Sequence, residues 1–458
     1  MEPNNGYEQR KTLRRYRSVQ VLIFFIALYV LAIVGLMIPL RPTKSENEKR
    51  ELTPFPSFSL ASLWDGSFFQ GIDLWFSDTF PFRETLISWN TSLWNLSGIQ
   101  TSSIHGEVKQ GDDIPAITDI TKTHPDATKG VTTTTTSRTV QTSTTTKRSD
   151  GNTPPGTGEQ LGAVWRAGNS AYEYYTFSRE ESDRYIQLLN KVGDKLAGQA
   201  TVYDIIVPNS MGVMLSDEYK EKNGITTSDQ GAAIDYMTAS MNANVKSVKI
   251  FDPLRAHCKE YIYFRTDHHW TATGAYYAYE QFAKVKGFTP TPLTDFKTNT
   301  YEGFLGTFYA DTGKSSALSK TPDTVVTYTP KSTNSMQFTT REGKKVDWNV
   351  VMDVSEYDPS AMYSAFIGGD NPYSLIQNPL LKDGSSCVVI KESYGNAFVP
   401  FLVDHYQTVH VIDYRYYENN LIDFVKKNKV QDVIFINNIM ATSTDIRIQE
   451  MVDLAGVS

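Results

Sequence analysis

Cysteine is the scarcest useful residue here. The 458-residue chain has only Cys258 and Cys387, so neither a disulfide framework nor a four-thiolate zinc site can be built. Two cysteines permit one bridge at most, and the apolar run around Cys387 favours a free, buried thiol there. Histidine is nearly as sparse, at seven, so any two that sit together stand out. An excess of basic residues is missing as well. The formal net charge is −7 and the sequence pI is about 5.6, which argues against nucleic acid as a main partner. Tyrosine and phenylalanine are plentiful, at 26 and 23. Such rings line many carbohydrate surfaces, but more of them pack in cores. Length leaves room for about two to three domains.

Long apolar runs are absent but for one, Val21 to Leu40, which carries no charge. About 20 apolar residues at ~1.5 Å each span a hydrocarbon layer of about 30 Å. Arg10, Lys11, Arg14, Arg15 and Arg17 precede it, and such a cluster holds that end in the cytoplasm. A cleaved signal peptide is the rival reading, but the run is long and no small-x-small site follows. The expectation is a cytoplasmic tail (1–18), a single-pass cell-membrane anchor (19–40) and the bulk of the chain outside.

Residues 41–99 form a membrane-proximal arm dense in aromatics, with an amphipathic helix expected around Leu86 to Leu96. The arm reads as a packing element, with a contact surface for a membrane partner as the alternative. Residues 100–160 hold the threonine runs Thr132 to Thr136 and Thr144 to Thr146. That composition buries too little apolar surface to offset the entropy of ordering, so a disordered linker is expected.

From 161 to 458 the pattern is globular. Ser178-Arg179-Glu180-Glu181 fits a capping box ahead of the apolar face Tyr185, Leu188, Leu189, Val192, Leu196. Strands are expected at Thr201 to Val207, Val248 to Phe251 and Tyr261 to Phe264, with helices at Gln230 to Met241 and Thr273 to Val285. A β-rich insertion, about 302–384, then separates the two halves of the sheet. A β-α-β-α-β section closes the pattern: Ser386 to Ile390, Asn396 to Val403, Thr408 to Ile412, Leu421 to Asn428 and Val433 to Ile436. The class is α/β with a mainly parallel sheet.

The paired histidines lie in Arg265-Thr266-Asp267-His268-His269-Trp270-Thr271. In an extended stretch, residues two apart share a side, so Asp267 and His269 can meet while His268 faces away. Asp267 and His269 are therefore candidates for the orienter and the base of a hydrolytic triad. Ser393, just past a buried strand and before a helix, is the candidate nucleophile. It falls at the C-terminal sheet edge, where open α/β folds place their ligand crevices. Gly395 allows close chain approach there, Asn396 is a tentative donor to an oxyanion, and Arg415 is either a substrate clamp or an ion-pair partner. Trp270 packs or faces a sugar. Asp267, His268 and His269 can also be read as metal ligands, but consecutive histidines on a strand diverge and no other cluster has ligand spacing. No metal and no cofactor are expected.

Thr266-Asp267-His268-His269-Trp270-Thr271 resembles the signature of the bacterial DHHW protein family. Glu392 to Leu402 resembles that family's serine block, and Glu46 to Arg50 with Asp78 to Arg83 its N-terminal portion. The family is similar to the SGNH-hydrolase-like domains of the alginate O-acetyltransferase proteins, flavodoxin-like three-layer folds. In these, Asp-x-His precedes the serine, a circular permutation that this chain shares. The resemblance implies extracytoplasmic O-acyl transfer, O-acetyl being the expected group, to a polysaccharide acceptor. It also implies an acyl donor delivered by a multi-pass membrane O-acyltransferase, with Ser393, His269 and Asp267 as the triad. A carbohydrate acetylesterase, or a non-catalytic glycan-binding or assembly protein, is the alternative. No Gly-Asp-Ser-Leu block occurs, and Glu392 stands where many relatives carry Asp.

Overall fold

The computed structural model describes residues 41–45, 50–58, 62–63, 67–81, 108, 110–116, 151, 154 and 158–457. The expected anchor at 19–40 and the helix around 86–96 lie outside them. Among the described residues no helix is long and apolar enough to cross a membrane. The chain divides into two compact units, 1–101 and 102–458.

In the first unit, strands β1 (Lys44–Ser45) and β2 (Arg50–Glu51) pair antiparallel, and helix α1 spans Ser67–Asp78. The Arg41 guanidinium lies 3.7 Å from the centre of the Trp75 ring and donates to Thr79 Oγ1 at 2.5 Å.

The second unit opens with a three-stranded meander, β3 (Glu159–Leu161), β4 (Val164–Ala167) and β5 (Ser170–Glu173). Helix α2 (Arg179–Leu196) follows and buries Tyr185, Leu188, Leu189, Val192 and Leu196 as the spacing predicts. Its cap differs from the expected box. The Ser178 hydroxyl turns to the Glu181 carboxylate, and the Arg179 N–H donates to Asp112 Oδ2 at 2.8 Å. The cap is thus supplied from inside the expected linker. Residues 110–116 pack along this unit, with Asp112 N–H on Phe177 O and Ile114 against the core.

Strand β6 (Thr201–Val207) starts the main sheet, and helix α3 is Gln230–Ala239. The expected strand at 248–251 is instead β7 (Val245–Ser247) followed by helix α4 (Phe251–Ala256). Asp252 and Pro253 explain the shift. An acid suits the first helical turn, and proline costs nothing where the N–H has no helical partner. Tyr261 to Phe264 is likewise no strand, only a single bridge between Tyr263 and Trp270. Helix α5 runs Ala272–Lys286.

Strands β8 (Lys297–Phe304) and β9 (Asp323–Thr329) form a separate antiparallel pair. Next come β10 (Ser335–Thr339), β11 (Lys345–Asn349), β12 (Tyr373–Gln377), β13 (Ser386–Lys391), β14 (Thr408–Asp413), helix α6 (Leu421–Asn428), β15 (Asp432–Asn438) and helix α7 (Asp445–Ala455). The eight-stranded sheet has the order β11-β10-β12-β14-β13-β15-β6-β7. Its β14-β13-β15-β6-β7 part is parallel, and β12, β10 and β11 extend one edge antiparallel. The insertion therefore widens the sheet at one side rather than parting two halves.

Helices cover both faces. Tyr203 of β6 meets Phe282 of α5, ring centres 5.1 Å apart, while the next residue, Asp204, meets Tyr185 of α2. Adjacent strand residues point to opposite sides, so α2 and α5 lie in different layers. Cys387, Val388, Val389 and Ile390 on central β13 have no exposure, the signature of a parallel strand covered twice. Both cysteines are buried and neither is in a disulfide. Where a helix was expected at 396–403 there are two 3₁₀ turns, Ser393–Ala397 and Val399–Leu402. Pro400 removes an N–H and clashes with the carbonyl four residues back, which stops an α-helix.

Asp204 yields a test. It is buried on β6 and accepts from the Tyr185 hydroxyl at 2.6 Å, leaving its other oxygen without a partner. Burial, against that hydrogen bond, pushes its carboxyl up to about 7. The folded chain holds this proton at a pH where the unfolded chain has released it. The stabilising contribution is complete below about pH 4 and is lost as pH rises to about 7. Thermal melts across that range are expected to show the decline in the wild type and a flatter profile in Asp204→Asn.

Candidate active site

Residues 261–271 form a tight reversal. Its arms are joined by Phe264 N–H on His269 O and Thr271 N–H on Ile262 O. A loop in this conformation does not hold itself, and the clamp is Asp323 at the start of β9, with no exposure. Asp323 Oδ2 accepts from Thr266 N–H at 2.6 Å and from its hydroxyl at 2.7 Å. Asp323 Oδ1 accepts from Arg265 N–H at 3.0 Å and from the Tyr261 hydroxyl. Four donors from one loop meet one buried carboxylate.

At the tip, His269 Nδ1 pairs with Asp267 Oδ1 at 2.6 Å, and the same oxygen accepts the His269 N–H at 3.0 Å. Asp267 Oδ2 accepts from Thr307 N–H at 2.8 Å and from its hydroxyl at 3.1 Å. Gly306 makes that approach possible, since a Cβ there would sit 2.2 Å from Asp267 Cβ. Burial alone would raise the Asp267 carboxyl, but the His269 and His268 rings and the Thr307 N–H outweigh it and hold it well below the usual range. Asp267 is therefore a fixed anion beneath the imidazole.

The other imidazole nitrogen, His269 Nε2, lies 2.7 Å from Ser393 Oγ. Tyr363 stacks on the ring at 3.9 Å between centres and 12° between planes, and its hydroxyl donates to Ser393 O at 3.1 Å. His268 does not diverge as expected of a strand. The loop bends, its ring centre lies 3.8 Å from that of His269, and its Nδ1 pairs with the Thr307 hydroxyl at 2.6 Å. One ligand atom from each of Asp267, His268 and His269 falls within 4.8 Å of the others. Both Asp267 oxygens and both His269 nitrogens already take part in one hydrogen-bonded chain, Thr307–Asp267–His269–Ser393.

Ser393 opens the first 3₁₀ turn beyond β13 and is partly exposed. Glu392 Oε2 lies 3.2 Å from Ser393 Oγ and accepts the Tyr394 N–H at 3.2 Å, while its Oε1 accepts the Asn438 N–H at 2.9 Å. Burial raises the Glu392 carboxyl, opposed by Arg415. Beneath the turn, Lys391 Nζ contacts Asp413 at 2.9 Å and Asp370 at 3.0 Å. Arg415 contacts the same two acids at 2.6 and 2.8 Å.

The tentative ligand residues are held by contacts within the protein. Arg415 is an ion-pair partner. The Asn396 amide donates to Asp370 at 3.0 Å. Gly395 packs on its own strand, where a Cβ would lie 2.5 Å from Lys391 Cβ. Trp270 is fully buried, with its indole N–H on Tyr394 O at 2.9 Å. Thr307, Asp323, Tyr363 and Asn438 carry no local signal in the sequence. Their roles arise from contacts across the fold and leave no local pattern. Asn438 carries a buried side-chain Nδ2 with no partner among the described residues.

Gly395→Ala is expected to cost about 1–3 kcal/mol through overpacking against Lys391. Urea denaturation would read it, and an unchanged midpoint would place the turn's tolerance elsewhere.

The sequence model described as DHHW protein matches residues 48–153 and 140–412. No protein of curated function matches the sequence. Among solved structures, a DHHW family protein from Eubacterium siraeum is similar at 28% identity and TM-score 0.58, over 64% of this chain and 96% of that one. Bacillus cereus PatB1 with a sulfonyl adduct is similar at 17% identity and TM-score 0.51, over 62% and 97%. The O-acetyltransferase domain of Pseudomonas putida AlgJ follows at 15% identity and TM-score 0.36, over 64% and 97%. The family match spans well over half of the sequence and includes Asp267, His268, His269, Trp270 and Ser393, and the chain belongs to the DHHW protein family.

Proposed function

We propose that this protein is a serine O-acyltransferase, with O-acetyl as the group moved and a cell-surface or exported polysaccharide as acceptor. The observation that carries the reading is the continuous hydrogen-bonded chain from Asp267 through His269 to Ser393. A serine hydroxyl is a weak nucleophile until a base takes its proton during attack. His269 Nε2, 2.7 Å away, is placed to take it. Asp267 fixes the tautomer that leaves this nitrogen free and stabilises the imidazolium that forms. In the first half-reaction Ser393 Oγ bonds to the acyl carbon and His269 returns the proton to the departing donor group. In the second, a glycan hydroxyl gives its proton to His269 and attacks the acyl-serine ester, and His269 returns the proton to Ser393 Oγ as that ester bond breaks.

Charge develops on the acyl oxygen in both halves and calls for preorganised donors. The Asn396 amide is engaged by Asp370, and the Asn438 backbone N–H holds Glu392, the neighbour of the nucleophile. The apolar run at 19–40 would anchor the chain with its bulk outside the cell, where a multi-pass membrane acyltransferase would supply the donor.

The full-length chain incubated with p-nitrophenyl acetate, with and without oligosaccharides, tests the reading. Acetylated sugar supports transfer, and free acetate alone would point to an acetylesterase using the same acyl-enzyme. Ser393→Ala is expected to abolish release of p-nitrophenol, and Asp267→Asn to lower kcat about 10³–10⁴-fold by favouring the wrong tautomer. The sulfonyl adduct of PatB1 gives the reagent class for a second check. A sulfonyl fluoride that leaves Ser393 unmodified by mass spectrometry, with no turnover in the wild type, would reject the triad in favour of a non-catalytic glycan-binding role.

A further inference from the structure

A second concave site lies one strand away from Ser393. Lys391 at the end of β13 is in register with Asp413 at the end of β14. The chain leaving β14 therefore runs beside the serine turn. There Arg415 to Asn420, the end of β10, the start of β12 and one side of α6 enclose a cavity of about 890 Å³. That volume is within the range of small-molecule sites, roughly 300–1,000 Å³.

The lining has a distinct chemistry. Tyr373, Tyr417 and Phe424 form one cluster, with ring centres 5.9 to 6.2 Å apart. All three are only half-buried, so aromatic surface faces the cavity. The rim is polar and mixed in sign, with Arg341 and Lys427 against Glu418 and Asp423, and exposed Asn419 among them. Arg341 stands 4.1 Å from the centre of the Tyr416 ring, which stiffens that wall. Arg415 belongs to both sites, lining the cavity while it pairs with Asp370 and Asp413 under the serine turn.

We propose that this groove binds a neutral oligosaccharide and presents it to Ser393. Flat C–H faces of pyranose rings match half-exposed aromatic rings, and amide, carboxylate and guanidinium groups satisfy hydroxyls as both donors and acceptors. The balanced rim charge disfavours a polyanion. Use of the bound sugar as acceptor rests on the acyl-transfer reading, whereas binding in the groove does not.

The test is isothermal titration calorimetry of the full-length chain with cellohexaose and chitohexaose. No acyl donor is present, so the outcome is independent of Ser393. At least one hexasaccharide is expected to bind, and Tyr417→Ala and Asn419→Ala are each expected to weaken it tenfold or more. Asn419 is exposed, so its variant reads binding without a folding defect. Absence of binding by the wild type, affinity unchanged in both variants, or preference for an anionic hexamannuronate would each overturn the proposal.

Discussion

A hydroxyl and an imidazole 124 positions apart in sequence are held at 2.7 Å, and neither sits on an α-helix or a strand. His269 lies in a bent loop and Ser393 in a 3₁₀ turn. Near-attack geometry tolerates little slack, since a displacement of about 1 Å can cost ~10²-fold in rate. Rigidity therefore has to be imported. On the loop side it comes from Asp323 and Thr307, which lie in the insertion. Tyr363, also in the insertion, bridges the two sides by stacking on His269 while bonding Ser393 O. What reads in sequence as an interruption of the fold is the frame of its reactive centre.

On the serine side, the frame is electrostatic. Lys391 and Arg415 face Asp370 and Asp413, two charges of each sign with most of their surface out of water. Burying ions carries a desolvation cost that good pairing only balances, so such clusters are weak devices for stability. Geometry is what this one provides. The network ties the end of β13, the end of β14 and the loop before β12, and Asn396 joins it through Asp370. The serine turn is thereby fastened to three neighbouring elements.

How much of this was legible follows the range of the interactions. Strands β6, β13 and β14 and helix α6 announce themselves through β-branched runs and helical spacing, within a residue of where they lie. The meeting of Asp267 and His269 was legible in the Asp-x-His spacing, and the place of Ser393 in the buried run of β13 that precedes it. The cap of α2 was misread because the Ser178 hydroxyl donates to the Glu181 carboxylate instead of accepting a backbone N–H, while Asp112, distant in sequence, takes the Arg179 N–H. The helix after Ser393 failed on Pro400, and the strand at 248–251 on Pro253, both local signals that apolar periodicity overrode. Thr307, Asp323 and Tyr363 had no signal at all, since each acts through contacts with residues distant in sequence.

Strand order has a consequence for how the chain assembles. β15 lies between β13 and β6, so the middle of the sheet cannot close until β15 has been made. Non-local pairing of this kind slows folding and leaves strand edges open in the meantime. A chain emerging from the ribosome, or threading across a membrane, would keep β6 without its inner neighbour until β15 followed. The topology thus delays closure of the sheet beside the Ser393 turn until β15 is in place.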